Sequence, residues 1–342
     1  MNMVNGKQSR RTLLGGAIGF GATAAVASLA GAQEASPVAS PASGEWSFTD
    51  DKGVTVTLPS RPERLVIDVN AAAPLWDFGI RPIAVFGWLA TASGEFGPAG
   101  GNIDPTQVEI IGEGEATIDV EALVGLQPDL IVTLTFSPDD PTEYWSLAAD
   151  GPLEQVQQVA PIIAISGVNR ADLSAGRFAD LAVALGADLE TPEIAADTER
   201  WHAAEDAFKA AVEAKPGITA IFASGATDMI YVANPAVARE VQYARELGLT
   251  IPDVEIDPAN GDYWEYVSPE EIGKYQTDIL FSSYRGLSIE ELIAIPTVAT
   301  LPAVTNDQVY TWNQDLVASY RGLADALEGL TDAVTQSEIV TG

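Results

Sequence analysis

The sequence predicts an α/β protein of two lobes joined through helix, preceded by a leader segment. Three observations predict it. Short apolar runs alternate with amphipathic stretches from Arg64 onward. The alternation pauses near residues 170–215, where helical spacing continues with little strand signal. A motif from the first half then recurs in the second. At 342 residues the chain is long enough for two cores, at ~100–200 residues per domain.

Residues 1–32 read as an export signal. Lys7, Arg10 and Arg11 form a positive start, a Gly/Ala-rich apolar run extends from Leu13 to Leu29, and Ala30-Gly31-Ala32 offers a small-residue cleavage site. The pair in Ser9-Arg10-Arg11-Thr12-Leu13-Leu14 resembles a twin-arginine signal. The competing reading is an uncleaved anchor, for which the segment is short and rich in small residues. Residues 33–45 are small and Pro-containing, as a flexible linker would be.

The first lobe is expected over 46–168. Leu65-Val66-Ile67, Ile83–Phe86, Glu109–Ile111, Leu130–Val132 and Ile162–Ile165 read as buried strands. A short helix around Leu75-Trp76-Phe78 ends at Gly79, and another runs from about Asp119 to Gln127. Continuous apolar strands separated by helices indicate a mainly parallel sheet covered on both faces. In 169–189, Phe178, Leu181, Ala182 and Leu185 repeat at helical spacing and Gly186 stops the run. The second lobe, 190–335, opens with a helix carrying Trp201, Ala204, Phe208, Ala211 and Val212. Strands follow at Ala220–Phe222, Ile230–Val232, Ile279–Phe281 and Val309-Tyr310, and a last helix runs from about Leu316 to Leu330.

The recurring motif supports the division. Glu121-x-Leu123-x-x-x-Gln127-x-Asp129-Leu130-Ile131 matches Glu270-x-Ile272-x-x-x-Gln276-x-Asp278-Ile279-Leu280 without a gap. Each copy reads as a capped helix, opened by Asp119 or Ser268, that leads into a buried strand.

Composition removes several functions. The chain has no Cys, one His and a net charge of −32. Disulfides, thiolate metal sites, iron–sulfur clusters and Cys nucleophiles are excluded, as is a lipid anchor on an N-terminal Cys. One His rules out a multi-His metal site, so no resident metal is expected. Loss of residues 1–32 takes away three basic residues and no acidic one, so the net charge falls from −32 to −35. Such a surface suits neither nucleic acid nor an anionic membrane.

The order of segments resembles the class III periplasmic substrate-binding proteins of iron–siderophore, heme and cobalamin ABC importers. The matching pieces are Asp51-x-Gly53-Val54-Thr55-Val56, Arg61-Pro62-x-Arg64-Leu65-Val66, and Gly112 ahead of Asp119-x-Glu121. They continue with Gln127-Pro128-Asp129-Leu130-Ile131, Ala160-Pro161-Ile162-Ile163, and Leu301-Pro302-Ala303-Val304 leading to Gln308-Val309-Tyr310. Together they cover roughly residues 46–330. The resemblance implies two Rossmann-like lobes, a rigid bridging helix at 169–189 and a ligand cleft between the lobes. It implies no enzyme activity and no cofactor. The expected ligand is a ferric siderophore, and the expected partners are the permease subunits of an ABC importer. The protein is expected to be an extracytoplasmic monomer exported by its twin-arginine-type signal.

In open α/β sheets, ligands sit at the carboxyl ends of the strands. The loops there carry the candidate binding residues Trp88, Phe136, Met229, Tyr263, Trp264, Tyr284, Arg285 and Trp312. Aromatic loops suit a bulky ligand with apolar surface, and Arg285 is the candidate polar anchor. The loops near Trp88 and Phe136 hold no Lys or Arg, so a neutral or cationic hydroxamate-like chelate fits better than a highly anionic catecholate. Cobalamin or heme is the nearest alternative. An extracytoplasmic hydrolase with paired carboxylates, or a sensor without transport, belongs to a different class. By the resemblance, Glu121 and Glu270 are the permease-docking carboxylates, displayed on the two lobes. Their plainer role would be to complement helix dipoles.

Overall fold

The computed structural model describes residues 44–87, 96–112, 118–147 and 153–341. The leader 1–32, most of the linker and Trp88 lie outside the described residues.

The first half forms β1 (Trp46–Thr49), β2 (Thr55–Leu58), β3 (Leu65–Asp68), α1 (Val69–Asp77), β4 (Ala84–Phe86) and β5 (Glu109–Ile110). It continues with α2 (Val120–Leu126), β6 (Leu130–Thr135), α3 (Leu153–Val159) and β7 (Ile162–Ser166). Two helices follow, α4 (Ala171–Ala184) and α5 (Pro192–Glu213). The second half forms β8 (Ala220–Gly225), β9 (Ile230–Ala233), α6 (Arg239–Glu246), β10 (Trp264–Val267) and β11 (Ile279–Ser283). It closes with α7 (Ile289–Ile293), α8 (Pro302–Thr305), β12 (Val309–Trp312) and α9 (Tyr320–Gln336).

The strands build two five-stranded sheets, one in each Rossmann-like lobe. The first has the order β5-β4-β3-β6-β7 and is parallel throughout. Its side chains divide between two cores by the two-residue period of a strand. Ile67, Val85, Val132 and Ile163 enter one core, whereas Val66, Phe86, Ile131 and Ile162 enter the other. Every residue of β3, β6 and β7 is therefore buried, which explains their unbroken apolar runs.

The second sheet has the order β10-β9-β8-β11-β12. It too is mainly parallel: β8, β11 and β12 pair in parallel, while β9 pairs antiparallel with both β8 and β10, so that β9 alone is reversed. The linker Ala226–Met229 is too short for a crossover, so β9 must turn back on β8.

The repeat has a structural counterpart. β6 lies between β3 and β7, and β11 holds the same place between β8 and β12. Ahead of β6, the Asp129 carboxylate accepts from Arg64 N at 2.9 Å, and its own N–H returns to Arg64 O. Ahead of β11, Asp278 does the same with Thr219. Each Asp thus fixes the start of its strand against a neighbour.

The second copy departs from the expected helix. Glu121 lies in the first turn of α2, capped by Asp119, but Glu270 lies in a turn ahead of a 3₁₀ segment, Ile272–Lys274. Gly273 weakens helix there, and Lys274 and Tyr275 both bind the Glu265 carboxylate. A further α-turn would move one of them away from it. Both Glu121 and Glu270 are exposed.

Helix α4 belongs to both lobes. Ala171 and Ala175 in its first turns enter the core of the second sheet, whereas Phe178, Leu181 and Ala182 enter that of the first. Its middle is tied to the β1–β2 hairpin, where Arg177 Nε donates to Asp51 at 2.7 Å. Asp51 also accepts from Ser166 N at the end of β7, and buried Asp50 accepts from Ala164 N. The hairpin pins the point where β7 leads into α4.

Candidate functional site

A cavity of about 620 Å³ opens at the carboxyl ends of both sheets. Its first-lobe wall is Asn70, Leu134, Phe136 and Trp145, and the second lobe supplies Tyr231, Arg239, Tyr263, Trp264, Arg285 and Asp315 among others.

The first-lobe aromatics are held by the loop after β6. The Glu143 carboxylate accepts from Thr135 Oγ1 at 2.5 Å and from Phe136 N at 3.0 Å, fixing the turn that presents the ring. The loop then folds back, and Trp145 N donates to Leu134 O at 2.9 Å. Phe136 meets Trp145 edge-on, with centroids 4.9 Å apart. Gly167 is required beside this pair, because a Cβ there would lie 2.8 Å from the Phe136 ring. Lys52 of the hairpin secures the same loop by donating to the Asp140 and Glu143 carbonyls.

Across the cavity, Tyr263 precedes β10 and Trp264 opens it, with Tyr231 and Tyr266 beside them in an edge-on chain of rings. Phe136 reaches Tyr263 across the lobe boundary, with centroids 6.2 Å apart. The walls are therefore aromatic on both sides, a surface suited to apolar segments of a bulky ligand.

The floor is charged. Asp315 receives a bidentate pair from Arg285, with Nε at 2.5 Å and Nη2 at 2.7 Å. It also accepts from the Tyr284 hydroxyl and, across the lobes, from Asn70 Nδ2 at 3.1 Å. Much of the Arg285 charge is thereby answered inside the protein.

Arg239 differs. It is 4% exposed at the start of α6; Nη2 donates to Leu316 O at 3.1 Å, and Nη1 has no hydrogen-bond partner. Behind the floor are two buried carboxyls. Burial raises Asp68 to about 7, against the neighbouring Ser146 hydroxyl and Asn70 N–H, while Asp315 adds to the rise. Burial likewise raises Glu240 to about 7, against the pull of Arg239. Burial also pushes the Tyr263 phenol well above its ordinary value. Among the described residues no group of His, Asp or Glu could hold a metal ion.

Four of the expected binding residues, Phe136, Tyr263, Trp264 and Arg285, line this cavity. Tyr284 holds Asp315 from behind. Trp312 ends β12 instead of following it, and is buried behind Trp264 with ring centroids 5.9 Å apart. Met229 lies in the β8–β9 turn and takes no part in the cavity wall. Sequence reasoning missed Arg239, Asp315, Trp145 and Tyr231. For Arg239 a signal was present: Arg239-Glu240 interrupts the apolar run Val237-Ala238…Val241, and charges embedded so need a buried purpose.

Comparison with known proteins follows the same lines. The family model described as "Periplasmic binding protein" matches residues 109–316. This chain belongs to that family. Its fold is that of the class III substrate-binding proteins, a family that binds its ligands without turning them over. DesE, a ferric-siderophore receptor protein from Streptomyces coelicolor, is 29% identical with a TM-score of 0.80, over 86% of this chain and 99% of that one. The petrobactin-binding protein YclQ from Bacillus subtilis is 14% identical with a TM-score of 0.63, over 85% of this chain and 99% of its own. The catecholate-siderophore binding protein VctP from Vibrio cholerae is 17% identical with a TM-score of 0.58, over 85% and 99%. At those identities the last two share the fold alone. No curated protein sequence matches this chain significantly. No helix among the described residues is long and apolar enough to cross a membrane.

Proposed function

We propose that this protein captures a neutral or cationic ferric siderophore of hydroxamate type outside the inner membrane and delivers it to an ABC importer. The observation that carries the reading is the cleft's charge. Among the described residues two arginines line it, and Asp315 occupies one of them with a bidentate pair. A ferric catecholate with several negative charges would need a larger basic cluster. A chelate of low charge needs a few donors and much apolar contact, and this cleft offers both.

The likeness to the ferric-siderophore receptor DesE supports the same ligand class. Each wall residue then has a task. Phe136 and Trp145 pack on one side of the chelate and Tyr231 and Trp264 on the other, while Arg239 Nη1 donates to an oxygen of the complex. Asp315 and Asn70 hold the two lobes at the spacing that the ligand spans. The iron arrives and leaves inside its chelator, as cargo. Export by the Arg10-Arg11 signal and docking through Glu121 and Glu270 complete the proposal.

The test is a titration of the purified protein with a ferric trihydroxamate, a ferric tricatecholate, cobalamin and hemin, followed by Trp fluorescence. Quenching that saturates at one equivalent of the trihydroxamate is expected. Saturation by cobalamin or hemin, with no response to either ferric siderophore, would overturn the reading.

A further inference from the structure

We infer that the protein has a second ligand site, lying between the second sheet, α9 and the first lobe, that takes a small organic ammonium ion with an apolar body. A cavity of about 400 Å³ lies there, within the range of small-molecule pockets. Phe222, Phe281, Trp312 and Leu330 give it apolar walls. Its charged lining is Asp77, Glu240 and Asp325, with no Lys or Arg among the described lining residues.

The three carboxylates are not equivalent. Asp77 accepts from Asn102 Nδ2 at 2.9 Å and from the Ser319 hydroxyl at 2.5 Å. Asp325 is paired with Arg200 at 2.6 Å. Glu240 is 6% exposed and accepts from Trp312 Nε1 at 3.0 Å through Oε1, whereas Oε2 has no partner. A buried carboxylate oxygen without a donor is costly, and a ligand bringing one removes that cost. A primary ammonium brings three N–H donors and a positive charge. Its hydrocarbon part would meet the faces and edges of Phe222, Phe281 and Trp312, where a cation is also favoured. An anion would face three acidic side chains, and a neutral apolar molecule would leave Oε2 unmet.

This site is separate from the siderophore cleft and does not depend on it. Trp312 stands between them, lining the second cavity and touching Trp264 of the cleft. The site also draws on both lobes, since Asp77 and Asn102 come from the first and Glu240 and Thr311 from the second.

Benzylammonium and its uncharged isostere benzyl alcohol serve as probes, titrated by calorimetry into the full chain at about pH 8. That is above the Glu240 value of about 7, so the carboxylate is charged. Benzylammonium should bind about tenfold or more tightly than the alcohol, the ratio expected for one charge-assisted hydrogen bond. Glu240→Gln should abolish that preference, and Ala326→Phe, which fills the cavity from α9, should abolish binding of both probes. Trp145→Ala, in the other cleft, should leave benzylammonium binding intact. Equal binding of the two probes, no binding of benzylammonium, or its unchanged binding to Ala326→Phe would overturn the inference. Should Glu240→Gln fail to fold, the probe ratio and the Ala326→Phe variant decide.

Discussion

Arg239 keeps a positive charge inside the protein while one of its nitrogens meets no acceptor. Such an arrangement is costly in the empty cleft and is relieved when a ligand oxygen arrives, so binding energy concentrates there. Arg239→Met should weaken the ferric hydroxamate by ~1.5–3 kcal/mol, the range for a hydrogen bond to a charged group, read as a shift in the quenching curve. Unchanged affinity would assign capture to the aromatic walls alone. Asp68 and Glu240 control a different property at the same scale. Each is raised by burial to about 7, so the folded protein keeps protons that the unfolded chain has already released. Their contribution is therefore most favourable at about pH 4 and below and is lost as pH rises to about 7, after which it is flat. The depressed carboxylates, Glu265 and Asp278, act at the acid end instead, losing their contribution as pH falls through their folded values. Urea unfolding between about pH 5 and 7 should therefore show stability falling with pH, and Asp68→Asn should flatten the slope. A slope unchanged in that variant would mean that Asp68 titrates near its ordinary value.

Among the elements, β10 and β12 place two tryptophans a ring apart with different duties. Trp264 is half-buried at the cleft wall, and Trp312 is 4% exposed behind it with its indole N–H on Glu240. Trp264→Ala should weaken ligand binding by ~1–3 kcal/mol with little loss of stability. Trp312→Ala should instead destabilise the fold by ~3–5 kcal/mol, measured by thermal or urea unfolding. The reverse pattern would place Trp312 at the ligand. This pair also marks where the sequence stopped being legible. Trp264 opens β10 and Trp312 ends β12, and the sequence pattern alone does not separate a strand-end ring that faces the cleft from one that packs behind it. Strands β3, β6, β7, β8 and β11 were readable because sheets covered on both faces demand unbroken apolar runs. The direction of β9 was not, since a buried strand has the same pattern whichever way it runs. Helix α6 escaped for a further reason: it buries Arg239 and Glu240, so its buried face does not look apolar. The cleft was half visible by the same logic. Phe136, Tyr263, Trp264 and Arg285 lie directly beside strands, whereas Trp145 arrives through a loop that folds back on Leu134 by a tertiary hydrogen bond.

For the whole molecule, the two lobes present Glu121 and Glu270 as exposed carboxylates ahead of equivalent strands. Replacing both with Arg should leave siderophore quenching intact and abolish uptake by cells, because like charges across an interface cost several kcal/mol. Normal uptake by a stable double variant would reduce the repeat to ancestry and helix-end electrostatics. The shared helix bears on how the protein can be engineered. Because α4 gives its first turns to one core and its later turns to the other, cutting the chain there leaves neither fragment with a complete interior. A split reporter divided at the middle would fail for that reason. A fluorescent domain inserted into the exposed turn at Thr227-Asp228 would spare both cores, because that turn only reverses β8 into β9. It would also sit on the lobe that carries Arg239 and Trp264, giving a genetically encoded sensor for chelated iron in which the binding protein itself is left whole.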